Sequence, residues 1–192
     1  MASRRTKIEL HLPDLSLNLM TDRGVFGRQG VDAGTKLLLL HGPDPAPGDT
    51  DLLDLGCGYG PIALALARRN PTATVWAVDI NERARDLCRQ NAEANELGNI
   101  RVAGPAEIPA AQRFDRIWSN PPIRIGKAAL HELLSHWLDR LRPGGTAHLV
   151  VQKHLGSDSL HRWLDGSGLA TTRRRSQSAY RLLDVCAGSG LE

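Results

Sequence analysis

Cysteine is scarce and poorly spaced in this chain: Cys57, Cys88 and Cys186 are the only three in 192 residues, odd in number and with no Cys-x-x-Cys pair. That argues against a disulfide framework and against thiol zinc or redox motifs, and it leaves all three expected as small core residues. Long apolar runs are missing too. None approaches the roughly 20 residues a membrane helix needs. The basic start, Met1 to Lys7, leads into alternating residues instead of a signal-peptide core, so the chain is expected in the cytoplasm. The seven histidines form no His-x-x-x-His pair, and His131 and His136, five apart, are badly placed to share a metal on one helix. No metal is expected, and no Ser-His-Asp set can be inferred from the spacing. Lysine is rare, four of 24 basic residues. Arginine suits phosphate and base stacking better, yet genome composition produces the same bias, so a net charge of +3 permits a polyanionic partner without establishing one.

With 41% hydrophobic and 23% charged residues the balance is that of a globular chain, and the length suits one compact domain. The opening alternates at Ile8, Leu10, Leu12 and again at Leu15, Leu17, Leu19, broken by Pro13-Asp14 and closed by Asp22-Arg23-Gly24. This pattern predicts two short strands, followed after Phe26 by a glycine-punctuated loop. The leucine run 35–40 is too brief for its period to decide between helix and strand, and the proline-rich stretch 41–50 reads as loop. From Asp51 onward short apolar runs alternate with segments of helical period, the pattern of βαβ units. Strands are expected at 51–55, 74–79, 100–103, 114–119 and 146–152, and two more near 169–173 and 179–185 could close the sheet. A helix capped by Asn81 should bury Ala84, Leu87 and Cys88 and stop at Gly98. A longer one should present Leu130, Leu133, Leu134, Trp137, Leu138 and Leu141 as one core stripe, ended by Pro143-Gly144-Gly145. The organisation expected is thus an N-terminal extension over 1–50 and an α/β core over 51–192.

The run Asp54-Leu55-Gly56-Cys57-Gly58-Tyr59-Gly60 ends the first core strand and opens a helix, where an open α/β sheet forms its ligand crevice. Glycines let a ligand approach the backbone, and the helix N-terminus behind them suits a carboxylate. Pro61 stands where a dinucleotide motif would need glycine, which weakens a nicotinamide reading. Asp79, closing the second strand, is placed to take the ribose hydroxyls of a nucleoside cofactor. DLGCGYG followed by AVDIN resembles the first two motifs of class I S-adenosylmethionine methyltransferases. The resemblance implies a Rossmann-like, mostly parallel sheet of seven strands flanked by helices. It places Asp54, Gly56, Cys57, Gly58 and Gly60 near the cofactor, Asp79 on its ribose and Ile80 beside its adenine. Where such enzymes carry an acid or amide for the adenine amino group, this chain has Gly104-Pro105-Ala106-Glu107, so the main chain of Ala106 is the expected partner.

The fourth strand runs into Ser119-Asn120-Pro121-Pro122-Ile123. The Asn120 side-chain oxygen and the Pro121 carbonyl can accept both hydrogens of a planar amine, and the prolines stiffen the corner. The motif resembles the Asn-Pro-Pro-aromatic signature of amine methyltransferases. The segments VFGRQGVDAGTKLLL, SNPPIRIGKAALHELL and LRPGGTAHLVVQKHLGSDSL are similar to the small-methyltransferase family over about 21–185. Members of that family methylate guanine in ribosomal RNA, which implies Asn120, Pro121, Pro122 and Ile123 as the catalytic corner and RNA as partner. Ile123 stands where those enzymes often carry phenylalanine, so a protein side-chain amide or small amine stays open as substrate, as does a non-catalytic RNA assembly factor. The segment Gly30-Val31-Asp32-Ala33-Gly34-Thr35 matches the family's stretch over the methionine end. Asp32 and Thr35 there are either cofactor contacts, or a turn-ordering acid and a helix cap. Arg124, Lys127, Arg173, Arg174 and Arg175 are either a phosphate-facing rim or an ordinary solvated surface.

Overall fold

The computed structural model describes residues 5–25, 27 and 30–187, so Phe26 and two neighbours in the expected glycine loop lie outside the described residues. The alternating opening forms the strands β1 (Thr6–His11) and β2 (Ser16–Thr21), an antiparallel ribbon with Leu10, Leu12, Leu17 and Leu19 buried. The leucine run resolves as a helix, α1 (Ala33–His41), capped by Asp32, which buries Leu37, Leu38 and Leu39.

Five parallel strands follow: β3 (Asp51–Leu55), β4 (Thr74–Val78), β5 (Ile100–Ala103), β6 (Phe114–Ser119) and β7 (Leu141–Gln152). The hairpin of β8 (Ala170–Gln177) and β9 (Tyr180–Cys186) adds antiparallel to β7, giving seven strands in the order β5-β4-β3-β6-β7-β9-β8. The inner strands are buried on both faces, which is why they read as continuous apolar runs. Successive residues feed opposite layers. Leu52 packs with α2 (Pro61–Arg69), α3 (Glu82–Ala94) and the N-terminal ribbon, while Leu53 packs with α4 (Lys127–Leu138) and α5 (Ser157–Gly166).

Three expectations need correction. α4 ends at Leu138, and Leu141 is buried as the first residue of β7. Pro143-Gly144-Gly145 therefore lies within that strand, where the pairing jumps from Phe114↔Leu141 to Arg116↔Thr146. The loop-forming residues make a bulge there, held because Arg142 bridges Asp51 and Asp115 across the neighbouring strands. α3 buries Ala84, Leu87 and Cys88 as expected but ends at Ala94, capped three residues before Gly98 by Asn95, whose side chain bonds the β2 backbone. Cys57 and Cys88 are core residues, whereas Cys186, at the end of β9, is exposed. No helix among the described residues is long and apolar enough to cross a membrane, and none of their acidic, cysteine or histidine side chains gather into a metal-holding group of three.

Register places the site. Leu55 lies opposite Val78 on one side and Ser119 on the other. The residues that follow, Gly56, Asp79 and Asn120, therefore leave the sheet at one level, on strands spaced about 4.8 Å apart.

Candidate active site

At that carboxyl edge a cavity of about 510 Å³ opens, within the usual size of a small-molecule pocket. Gly56, Cys57, Gly58, Asp79 and Ile80 line one end, Asn120, Pro121, Pro122 and Ile123 another, and Asp32 and Thr35 stand beside them. The glycine loop and the proline corner thus share one space. Asp54, Gly60 and Ala106, also expected at the cofactor, do not line the cavity, although Pro105 does.

The glycines divide by job. Gly56 and Gly58 have φ of +77° and +56°, and a Cβ on either would meet nothing within 4 Å, so the loop keeps open space in front of it. Gly60, φ +94°, is needed for packing: a Cβ there would lie 2.6 Å from Cys88 Sγ and 2.7 Å from Leu64 Cδ1. Behind the loop Asp54 is fully buried. Its Oδ2 accepts the Ala63 N–H at 2.8 Å at the start of α2, and its Oδ1 has no partner among the described residues. Burial, reinforced by nearby Asp79, pushes its pKa up to about 8. Asp79 braces the loop, accepting from Gly58 N at 2.9 Å and from Asn81 N at 2.8 Å. The Cys57 thiol, hydrogen-bonded to Cys88 and buried, is pushed well above the ordinary range and is no thiolate nucleophile.

Pro122, with φ −74° and ψ +73°, is the centre of an inverse γ-turn closed by Ile123 N donating to the Pro121 carbonyl at 2.8 Å. The turn fixes the direction of that carbonyl and leaves it one lone pair. Asn120 Nδ2 donates to Asp32 Oδ2 at 2.9 Å and to Thr35 Oγ1 at 3.1 Å. Asp32 is also the cap of α1, accepting from Gly34 N and Thr35 N. The cap is therefore Asp32 and not Thr35, and both residues accept a hydrogen bond from Asn120 at the proline corner.

Several lining residues carried no local signal in the sequence. Trp137 and Leu133 come from α4, a stripe read only as core; Gln152 ends β7, Tyr180 begins β9 and Leu155 follows β7. Four large aliphatic residues are exposed among the described ones, and three of them, Ile80, Ile125 and Leu155, line this cavity. An apolar lip of this kind suits a flat, weakly solvated group. Of the expected basic rim, Arg124 lines the cavity and Lys127 opens α4 just beyond it. Arg173 pairs with Asp158, Arg174 with Asp184 and Arg175 with Gln177, all on the edge strand β8.

Comparison with known proteins agrees with this geometry. The model of the family described as methyltransferase small domain matches residues 16–184. The chain is 34% identical over 160 residues to the uncharacterized protein YbxB of Bacillus subtilis, covering 82% of this chain and 79% of that one. It is 34% identical over 154 residues to ribosomal RNA small subunit methyltransferase C of Shewanella halifaxensis, covering 78% of this chain and 44% of that one. The solved T. thermophilus 16S rRNA N2 G1207 methyltransferase (RsmC), in complex with AdoMet and guanosine, matches with a TM-score of 0.79 at 26% identity, over 95% of this chain and 50% of that one. The chain thus spans half or less of the length of these two RNA methyltransferases.

Proposed function

The chain belongs to the methyltransferase small domain family, and from that premise we propose that it is an S-adenosylmethionine-dependent N-methyltransferase acting on the exocyclic amine of guanine in small-subunit ribosomal RNA. The observation that carries the proposal is the opening of Asn120 and the Gly56–Gly58 loop into one cavity with an apolar lip. A relative that shares this fold over 95% of the chain is solved with AdoMet and guanosine.

The residues present fit the cofactor. The open space before Gly56 and Gly58 admits its methionine end against the main chain. Asp79 takes the ribose hydroxyls on this reading, a role supported by its position in the lining beside Asn81. Ile80, 82% exposed, offers an aliphatic face to the adenine, and Pro105 bounds the same end. With Ala106 outside the lining, the base is held by shape, between Ile80 and Pro105. From the segment before the core, Val25 lines the same cavity toward the methionine end, while Asp32 and Thr35 hold Asn120. When bound, the cofactor supplies an electrophilic methyl group on a sulfonium.

The remaining work is positioning. Asn120 Oδ1 and the free lone pair of the Pro121 carbonyl accept the two amine hydrogens, which aims the nitrogen lone pair and stabilises positive charge as it grows. Orientation of this kind is worth about 7–11 kcal/mol in favourable cases. Both acceptors are weak bases, so the surplus proton leaves to water after transfer. Ile123, Ile125 and Leu155 pack the faces of the base in place of an aromatic ring. On this reading the enzyme works in the cytoplasm.

The test is incubation with methyl-labelled cofactor and separated RNA, protein and metabolite fractions. Label in small-subunit rRNA, recovered on digestion as N2-methylguanosine, is the expected result. Label confined to protein would transfer the same chemistry to a side-chain amide and overturn the RNA assignment.

A further inference from the structure

The Asn120 amide has two orientations, and only one presents an oxygen to an amine. Asp32 decides between them. Its Oδ2 already accepts the N–H groups of Gly34 and Thr35, at 2.8 and 3.2 Å. A carboxylate held by donors cannot face an amide oxygen, so the Asn120 amino group turns toward it. The second amino hydrogen goes to Thr35 Oγ1, a hydroxyl on a residue only 5% exposed. With both hydrogens committed, the amide oxygen is the atom left for the cavity.

The other carboxylate oxygen is anchored from β9, on the same face of the sheet as α1. Tyr180 OH donates to Asp32 Oδ1 at 3.3 Å, and Gln152 Nε2 donates to the Tyr180 oxygen at 3.2 Å. Gln152 and Tyr180 are register partners across β7 and β9. The close approach depends on Gly34, where a Cβ would stand 2.7 Å from the Tyr180 ring and 2.9 Å from Asp32 Oδ2. A helix cap alone needs neither Tyr180 nor the Thr35 hydroxyl.

We propose that Asp32, Thr35 and Tyr180 are positioning residues that lock the Asn120 amide with its oxygen toward the substrate amine, Tyr180 holding Asp32 and Asp32 with Thr35 holding Asn120. This rests on the methyltransferase reading above. They act through Asn120 on the chemical step, not on cofactor affinity.

Three variants test it: Thr35→Val, which keeps shape and loses the hydroxyl, Thr35→Ser, which restores it, and Tyr180→Phe, which keeps the ring on Gly34. Unmodified 16S rRNA transcript is the methyl acceptor, and S-adenosylhomocysteine binding is measured by calorimetry. In Thr35→Val kcat should fall about tenfold, part of the hundredfold that misplacing a reacting group can cost. KM for RNA and homocysteine-product affinity should stay within about threefold, with Thr35→Ser near wild type and Tyr180→Phe intermediate. An independent readout is the ¹⁵N side-chain amide signal of Asn120, assigned by its loss in Asn120→Ala. Its hydrogens should exchange slowly with water in the wild type and at least about tenfold faster in Thr35→Val. Unchanged kcat in both Thr35→Val and Tyr180→Phe, or a loss matched by weaker product binding, overturns the proposal. If wild type methylates no RNA, the function assigned above fails, and the amide signal still judges the lock: fast exchange in wild type overturns it, and slow exchange lost in Thr35→Val upholds it.

Discussion

Asp54 shows how one side chain can be legible in type and illegible in state. Its place before the glycine loop is plain in the sequence, but its complete burial and half-satisfied carboxyl depend on packing behind that loop. With a folded pKa of about 8 against 3.8 for a free aspartate, the folded state holds a proton that the unfolded chain releases. Folding then takes up a proton between those values, so this group costs progressively more stability as pH rises from about 4 to about 8, and the cost levels off above. Asp54→Asn keeps an acceptor for Ala63 N–H and cannot ionise. Its melting temperature should hold up better than wild type between pH 5 and 8.5 in differential scanning fluorimetry; parallel curves would show that Asp54 does not carry the slope. The glycines separate in the same way. Gly58→Ala should weaken cofactor binding and cost about 1–2 kcal/mol for the left-handed backbone. Gly60→Ala carries that strain plus the clash with Cys88 and Leu64, so urea denaturation should find it the less stable of the two.

Elements were readable where local period and burial agree. β3 and β4 are short apolar runs buried on both faces, and α3 announces itself through the Asn81 cap and the spacing of Ala84, Leu87 and Cys88. The α4 to β7 junction was misread because Leu141 continues the helical stripe in sequence while its burial comes from pairing with Phe114, a contact no local pattern encodes. Proline and glycines that signal a loop were equally ambiguous, since a bulge uses the same residues. The bulge is tight: a Cβ on Gly145 would lie 2.8 Å from the Arg142 carbonyl oxygen and 2.9 Å from that of Asp115, both main chain. Gly145→Ala should therefore destabilise by roughly 1–3 kcal/mol, the range for overpacking. The expected signature is a lower urea midpoint at unchanged m; a midpoint equal to wild type would mean that the bulge relaxes freely.

Across the whole molecule, the loops that follow β3, β4 and β6 were predictable because each motif ends its own strand, and parallel register brings strand ends together. The far wall was not, because Tyr180 reaches the cavity only through the pairing of β9 with β7, and Gln152 and Leu155, at and after the end of β7, belong to no motif. The same long-range pairing redistributes charge. Arg173 and Arg174, read in sequence as candidates for phosphate, are tied to Asp158 and Asp184, and Arg181 also binds Asp158. Arg124 and Lys127 form no ion pair among the described residues and stand at or beside the cavity mouth. If RNA enters there, these two cations meet its backbone. Removing both in Arg124→Ala/Lys127→Ala should weaken rRNA binding and flatten the log–log salt dependence by roughly 1.4–1.8, at about 0.7–0.9 per phosphate contact. Arg173→Ala/Arg174→Ala should leave that slope near wild type and lower the melting temperature instead, because it strands Asp184 beside the buried His148. Filter binding over a salt series separates the two variants; a slope lost from the β8 pair and kept in the Arg124/Lys127 pair would place the RNA along the sheet edge and not over the helix that follows the proline corner.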